Sequence, residues 1–301
     1  MTDSADPWSR VTAVAVAYRS AEVIGACVRS VAKARAVIVV DNASDDDSAA
    51  AARAALPSTV VVSNPVNQGF GRANNQGAAL AETEFVLFIN PDAELQPGAV
   101  EHLVAAADRY WDAALFAPAI LDARGVRIPT HNVGLFDQDR VSGKDRVLPD
   151  GDMCADFLSG ALMLVRRETF RALGGFDPSI FLYYEDDDLC LRLRRAGHGL
   201  VQVPAAVARH MGGASSPPTP ELVRRKFWHM AWSRLYLEAK HRGLRAARAT
   251  ALRNAASYAA KIAGHAVARH RDKTLRDQAR LAGTYAWLRG RSALIEAGIT
   301  P

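Results

Sequence analysis

Apolar and polar positions follow two periods along the first ninety residues. Val11 to Tyr18 (VTAVAVAY), Ala36 to Val40 (AVIVV), Thr59 to Ser63 (TVVVS) and Phe85 to Ile89 (FVLFI) are short runs rich in β-branched or aromatic residues, as buried strands are. Between the first two, Val23, Ile24, Cys27, Val28 and Val31 fall at helical offsets within Ser20 to Lys33. Asp45 to Leu56 and Gly71 to Ala81 read as further helices. Strands alternating with helices predict an α/β fold, with a mostly parallel, Rossmann-like sheet and helices on both faces. Ligands of such sheets bind at the carboxyl ends of the strands.

Polar residues gather at those ends. The second run stops on Asp41-Asn42-Ala43-Ser44 and the fourth on Asn90-Pro91-Asp92. Turn chemistry alone also favours Asp and Asn there, so each is either a turn former or a ligand binder. Further on, Phe181-Leu182-Tyr183-Tyr184 leads into Glu185-Asp186-Asp187-Asp188. Four adjacent acids repel, raise one another's pKa and call for a cation or a basic partner. Leu189, Leu191 and Leu193 with Arg192, Arg194 and Arg195 continue as an amphipathic helix with Asp188 in its first turn. The alternative is a solvated acidic start to that helix. An EF-hand is excluded because the spacing and the glycine are missing.

Ser216-Pro217-Pro218-Thr219-Pro220 breaks the chain. This places a domain at 1–215 and a basic helical extension at 216–301. Glu221 to Lys240 interleaves Phe227, Trp228, Trp232 and Tyr236 with basic residues. From Arg209 onward there are 18 Lys and Arg against 5 Asp and Glu, a balance of +13. The whole chain is +5, so residues 1–208 carry −8. The tail's partner is therefore expected to be anionic: an anionic membrane surface or a lipid diphosphate. Packing of the aromatics on the first domain, or in a homodimer interface, is the alternative. Nucleic acid is not expected, because no recognition motif accompanies the charge.

Composition narrows the classes. With 49% hydrophobic and 23% charged residues the chain reads as globular rather than disordered. No apolar run approaches the roughly 18 residues of a membrane span. Met1 to Arg10 is polar and acidic and does not read as a signal peptide, so a cytoplasmic location is expected, with peripheral attachment to the inner membrane face through the tail. Cys27, Cys154 and Cys190 are scattered, which predicts buried free thiols rather than disulfides or zinc ligands. Neither G-x-G-x-x-G after the first strand nor G-x-x-x-x-G-K-[ST] occurs. Dinucleotide and P-loop readings weaken accordingly, and a divalent cation held by carboxylates could meet the phosphates instead.

Seven stretches in order resemble the inverting GT-A family 2 glycosyltransferases, in their bacterial rhamnosyltransferase-like branch. They are Val37 to Ser44, Asn64 to Gly77, Phe88 to Ala93, Ser159 to Leu164, Gly174 to Asp177, the acidic cluster, and His210 to Ser215. The resemblance runs over roughly residues 11–243. It implies a GT-A fold that binds a nucleotide diphosphate sugar and transfers the sugar, with rhamnose from dTDP-rhamnose as the branch's suggestion, to a glycan or lipid-linked acceptor in cell-wall or polysaccharide synthesis.

By that resemblance Tyr18, Asp41, Asn67, Gly69, Asn74, Asn90 and Asp92 bind the donor, Asp41 reading the base. Asn90-Pro91-Asp92 stands where the family has its D-x-D motif, so Asp92, joined by His210, would hold Mg2+ or Mn2+. Asp186 is the expected catalytic base, with Glu185 and Asp187 as its rivals within the cluster. Phe157, Gly160 and Asp188 are expected at the acceptor or donor-sugar pocket. Two positions depart from the pattern: Arg19 replaces the Asn that often follows the first-strand Tyr, and Asp187 fills a usually apolar place. The competing classes are a sugar-nucleotide nucleotidyltransferase, whose Gly-rich triphosphate loop is absent, and a non-catalytic glycan-binding scaffold.

Overall fold

The computed structural model describes residues 6–136, 148–212, 219–296 and 298. Contacts divide the chain into two compact units: 1–67, 72–177 and 186–216 in one, and 68–71, 178–185 and 217–301 in the other. The expected boundary between 215 and 216 falls outside the described residues, as do Gly213 to Ser215 of the last motif.

The first unit is built on one large sheet. The unit's strands are β1 (Val11–Ala17), β2 (Ala36–Asp41), β3 (Val60–Ser63), β4 (Phe85–Ile89), β5 (Ala93–Leu95) and β6 (Ala113–Leu121), then the short β7 (Arg127–Ile128), β8 (His131–Asn132), β9 (Met153–Cys154) and β10 (Phe157–Leu158), and finally β11 (Leu162–Arg166) and β12 (Gly199–His210). β8 and β10 pair only with each other, apart from the large sheet. The order in the large sheet is β3-β2-β1-β4-β11-β6-β12-β5. β3, β2, β1 and β4 are parallel, as the βαβ pattern predicts, and so is the β6–β12 pair. β11 enters antiparallel between β4 and β6, and β5 runs antiparallel to β12. Parallelism therefore holds through the first half, and the sheet becomes mixed beyond β4.

Alternate residues of the fully buried β1 and β4 face opposite layers, as the two-residue period requires. Val11, Ala13, Ala15, Phe85 and Leu87 pack with helices α1 (Ile24–Ser30), α2 (Ser48–Ala55) and α4 (Ala99–Arg109). On the other face Val14 meets α3 (Phe70–Ala79) so closely that a Cβ on Gly77 would lie 2.4 Å from its Cγ1. There Phe88 also packs on Phe170 of α5 (Arg167–Ala172) and on Phe176, ring centres 5.1 and 5.2 Å apart. The acidic cluster opens α6 (Glu185–Arg195).

In the second unit α7 (Pro220–Arg242), α8 (Leu244–Val267) and α9 (Arg271–Leu288) pack on one another, with the short α10 (Ala293–Glu296) against α7. Thr219 caps α7 by accepting the Leu222 N–H. Trp232 is buried, stacks on Tyr236 at 5.2 Å and donates its indole N–H to the Arg291 carbonyl. The guanidinium of Arg280 lies 4.6 Å from the Phe227 ring centre. Of the aromatic series, Trp232 is buried within its own unit, while Phe227, Trp228 and Tyr236 remain partly exposed. Arg224, Arg245, Arg248 and Arg253 are exposed. No helix among the described residues is long and apolar enough to cross a membrane. Cys27 and Cys190 are buried as expected, but Cys154 is exposed, because it alternates outward on the short strand β9.

Candidate active site

β2 runs to Asp41, which lies opposite Ala17 of β1 and Ser63 of β3. The half-buried Asp41 carboxylate accepts the Ser44 N–H at 3.1 Å, while Ala43 between them takes a left-handed φ of 63°. Beneath it lies an amide network. Buried Asn42 donates to Asn67 Oδ1 at 3.0 Å and accepts from Asn64, whose side chain is doubly bonded to Gln76. Tyr18 follows β1 directly, and the Arg19 guanidinium lies 5.5 Å from its ring centre. Arg19 also forks onto Asp45 at 2.7 and 2.6 Å and holds that carboxyl below its usual range. The departure at Arg19 therefore replaces a small amide by a cation beside Tyr18. Asn74 is buried in α3. Gly69 has φ 84°, and a Cβ there would lie 2.3 Å from the Phe181 carbonyl oxygen, so only glycine fits.

β4 ends at Ile89, and Asn90-Pro91-Asp92 turns into β5. Asn90 is tied to the sheet by its N–H to the Ala161 carbonyl at 2.9 Å. Asp92 is 6% exposed, and its Oδ1 lies 3.1 Å from His210 Nε2. His210 comes from the far end of β12, where it pairs with Ala93. The same nitrogen is 3.3 Å from Asn90 Nδ2. Asn90 Oδ1 is buried without a hydrogen-bond partner, a costly state for an amide oxygen. Asn90, Asp92 and His210 thus converge, although no group of three His, Cys, Asp or Glu does so among the described residues. One carboxylate, one orphaned amide oxygen and one imidazole suit a hard divalent cation that completes its shell with water and phosphate oxygens.

The acidic cluster sorts itself by helix phase. Asp186 is held at both oxygens: Oδ2 accepts the Gly160 N–H and Oδ1 the Asp187 N–H, each at 3.0 Å. Burial pushes its pKa up, against the lowering effect of those two amides. Gly160 stands so close that a Cβ would meet Asp186 Cβ at 3.1 Å. Phe157 on β10 is half-buried three residues before it. Asp187 is half-buried, and Glu185 is buried.

Asp188, expected at the acceptor, is fully buried and bound to Arg192 Nε at 2.7 Å. Arg192 also donates to the Leu173 and Gly175 carbonyls at 2.9 and 2.6 Å. Asn75 grips the same turn, exchanging two hydrogen bonds with the Phe176 backbone at 2.8 and 2.9 Å. The buried Asp188 carboxylate thus holds Arg192, which ties down the Gly174-Gly175-Phe176 turn. The signal was in the sequence, an Asp and an Arg four apart on one helix face.

One sheet edge gathers these parts. Ala15 pairs with Ile89 and Ala17 with Asp41, so β2 and β4 end side by side around β1. Leu162 of β11 faces Ile89. Ala161 thus reaches Asn90 while the adjacent Gly160 holds Asp186. Two acids, Asp92 beside an imidazole and Asp186 on the Gly160 N–H, thus lie near the carboxyl edge of β4. Residues that the motifs named without a role, Asn64, Asn75 and Gln76, hold the loops.

The profile of the family described as "Glycosyl transferase family 2" matches residues 12–174. N-acetylglucosaminyl-diphospho-decaprenol L-rhamnosyltransferase of Mycobacterium tuberculosis (strain H37Rv) is 29% identical over 218 residues, 61% of this chain and 69% of that protein. Rhamnosyltransferase WbbL of Escherichia coli (strain K12) is 30% identical over 159 residues, 47% of this chain and 60% of that one. Among solved structures, the mannosyltransferase PcManGT of Pyrobaculum calidifontis, in complex with GDP-Man and Mn2+, has a TM-score of 0.57 at 18% identity and covers 95% of this chain and 90% of that one. GalNAc-T7 with UDP, GalNAc and Mn2+ has 0.54 at 18%, covering 76% of this chain and 51% of that one. Both likenesses show the GT-A fold.

Proposed function

The chain belongs to glycosyl transferase family 2 and is a glycosyltransferase, and we propose that it moves rhamnose from dTDP-rhamnose, with inversion, onto a hydroxyl of a lipid-linked diphosphate acceptor in polysaccharide or cell-wall synthesis. The observation that carries this reading is the paired arrangement at β4, with Asp92 beside His210 and Asn90, and Asp186 held on Gly160. The rhamnose donor and the lipid acceptor are suggested by the mycobacterial relative's name. A nucleotidyltransferase and a non-catalytic scaffold are set aside by the family.

Asp186 is the base. Its two oxygens are oriented by amides, and burial raises its proton affinity, which suits a carboxylate that must take a proton from a hydroxyl. As the acceptor oxygen bonds to the anomeric carbon, its proton passes to Asp186. The bond from that carbon to the diphosphate breaks on the opposite face, releasing dTDP. Asp92, Asn90 and His210 would hold the Mg2+ or Mn2+, which supplies positive charge to the leaving diphosphate when bound. Asp41 accepts the thymine ring N–H, with Tyr18, Asn67, Gly69 and Asn74 shaping the donor loop. Phe157 and Gly160 line the sugar or acceptor side.

The test is turnover by Asp186→Asn across a donor panel of dTDP-rhamnose, UDP-N-acetylglucosamine and GDP-mannose. The kcat with dTDP-rhamnose should fall by at least roughly a hundredfold while dTDP affinity holds. A base with a raised pKa also loses activity, as pH falls, at a pH above the ordinary carboxylate range. Wild-type preference for another donor overturns the rhamnose reading, and an active Asp186→Asn overturns the base.

A further inference from the structure

Tyr183 and Tyr184 have φ of 67° and 70°, two successive side-chain-bearing residues in the left-handed region directly before Glu185 and Asp186. Such a course persists only where the surroundings over-determine it. Within the second unit the surroundings are one stripe of α7, residues 225, 229 and 233 being four apart. The Phe181 ring stacks on His229 at 4.7 Å and 29°, and the Arg225 guanidinium lies 4.9 Å from the same ring centre. Ser233, fully buried, donates its hydroxyl to the Leu182 carbonyl at 3.0 Å. The Lys226 ammonium is 5.8 Å from the Tyr183 ring centre. The Phe181 carbonyl takes the Phe70 N–H at 3.0 Å, beside the obligatory Gly69.

We propose that α7 is the seat that holds Phe181 to Tyr184 in this strained course, making His229 and Ser233 positioning residues for the acids that follow. This gives the C-terminal helices a task inside the catalytic cycle, distinct from any role as a basic surface. His229 serves as a flat aromatic partner: burial, then Arg225, pushes its pKa down to about 3, so it stays neutral at working pH. The proposal rests on the assignment of Asp186 as base.

Turnover of dTDP-rhamnose onto an N-acetylglucosaminyl-diphospho-polyprenol tests it with His229→Ala, His229→Phe, Ser233→Ala and Asp186→Asn side by side. His229→Ala should lower kcat about tenfold or more with the donor KM within about twofold, since small misplacement of a reacting group is expensive in rate. His229→Phe keeps the stack and should recover most of the loss, and Ser233→Ala should lose kcat to a smaller degree. Wild-type kcat in His229→Ala, a loss carried by KM, or no rescue by Phe overturns the seat. If His229→Ala fails to fold, an unchanged kcat in Ser233→Ala overturns it. An active Asp186→Asn removes the base assignment alone. Hydrogen exchange at the amides of 181–187, which needs no donor, should rise in Ser233→Ala while β4 stays protected; unchanged exchange there also counts against the seat.

Discussion

Arg192→Leu separates a structural ion pair from an acceptor contact. The substitution keeps the helix and removes three hydrogen bonds, to Asp188 Oδ2 and to the carbonyls of Leu173 and Gly175. Asp188 is fully buried. Stripping the cation from a buried pair costs about 3–5 kcal/mol, and each carbonyl deprived of its donor adds about 1 kcal/mol. At about 2–4 °C per kcal/mol for a large domain, the melting temperature should drop by at least roughly 10 °C. The acceptor KM of the folded fraction should change little. Asp188→Leu with Arg192→Leu should regain part of the loss, because a buried pair replaced by apolar groups is often neutral. The assay is a thermal melt followed by circular dichroism, paired with acceptor kinetics below the melt. A melt within about 1 °C of wild type, or Asp188→Asn that leaves the melt intact and raises the acceptor KM, would return Asp188 to the acceptor site.

Asp92→Ala should abolish turnover and the metal-dependent part of dTDP affinity; calorimetry giving the same affinity with and without Mn2+ in the unmodified protein would remove Asp92 from that role. Asp41→Ala should weaken dTDP by about 1–3 kcal/mol through loss of one buried hydrogen bond, and GDP binding as tightly as dTDP would refute its base-reading role. If the exposed basic residues of the tail meet an anionic leaflet, each contributes about 1 kcal/mol. Co-sedimentation with phosphatidylserine vesicles should then fade with salt, and a protein left in the supernatant at low salt would exclude that partner.

The legible parts of the fold are those where pattern and burial coincide. Phe85–Ile89 is buried at every position, so a continuous apolar run marks the strand to the residue. The acids after β2 and β4 stand out for the same reason, as polar stops on apolar runs. β6 and β12 are not legible, because each carries a proline that argues against a central strand. The sheet accommodates them: Pro118 lies opposite Val203, and the register shifts between Val203 and Val207 around Pro204. The cluster 185–188 could be seen as chemistry but not sorted into roles, since the full burial of Asp188 and the partial burial of Asp186 and Asp187 depend on the phase of α6 and on where Arg192 reaches. The inward turn of Trp232 is likewise a tertiary fact. An alternation of aromatic and basic residues fits a lipid surface and a helical core equally well.

The anomeric configuration of the transferred sugar tests the central claim most directly. A single carboxylate base acting on the acceptor, opposite the departing diphosphate, permits only one displacement. The one-bond carbon–proton coupling of the new glycosidic carbon, read by NMR on the product from dTDP-rhamnose, should report the configuration opposite to the donor's. A product that keeps the donor's configuration would contradict the account, for it would require a second displacement that Asp186 as a base does not provide.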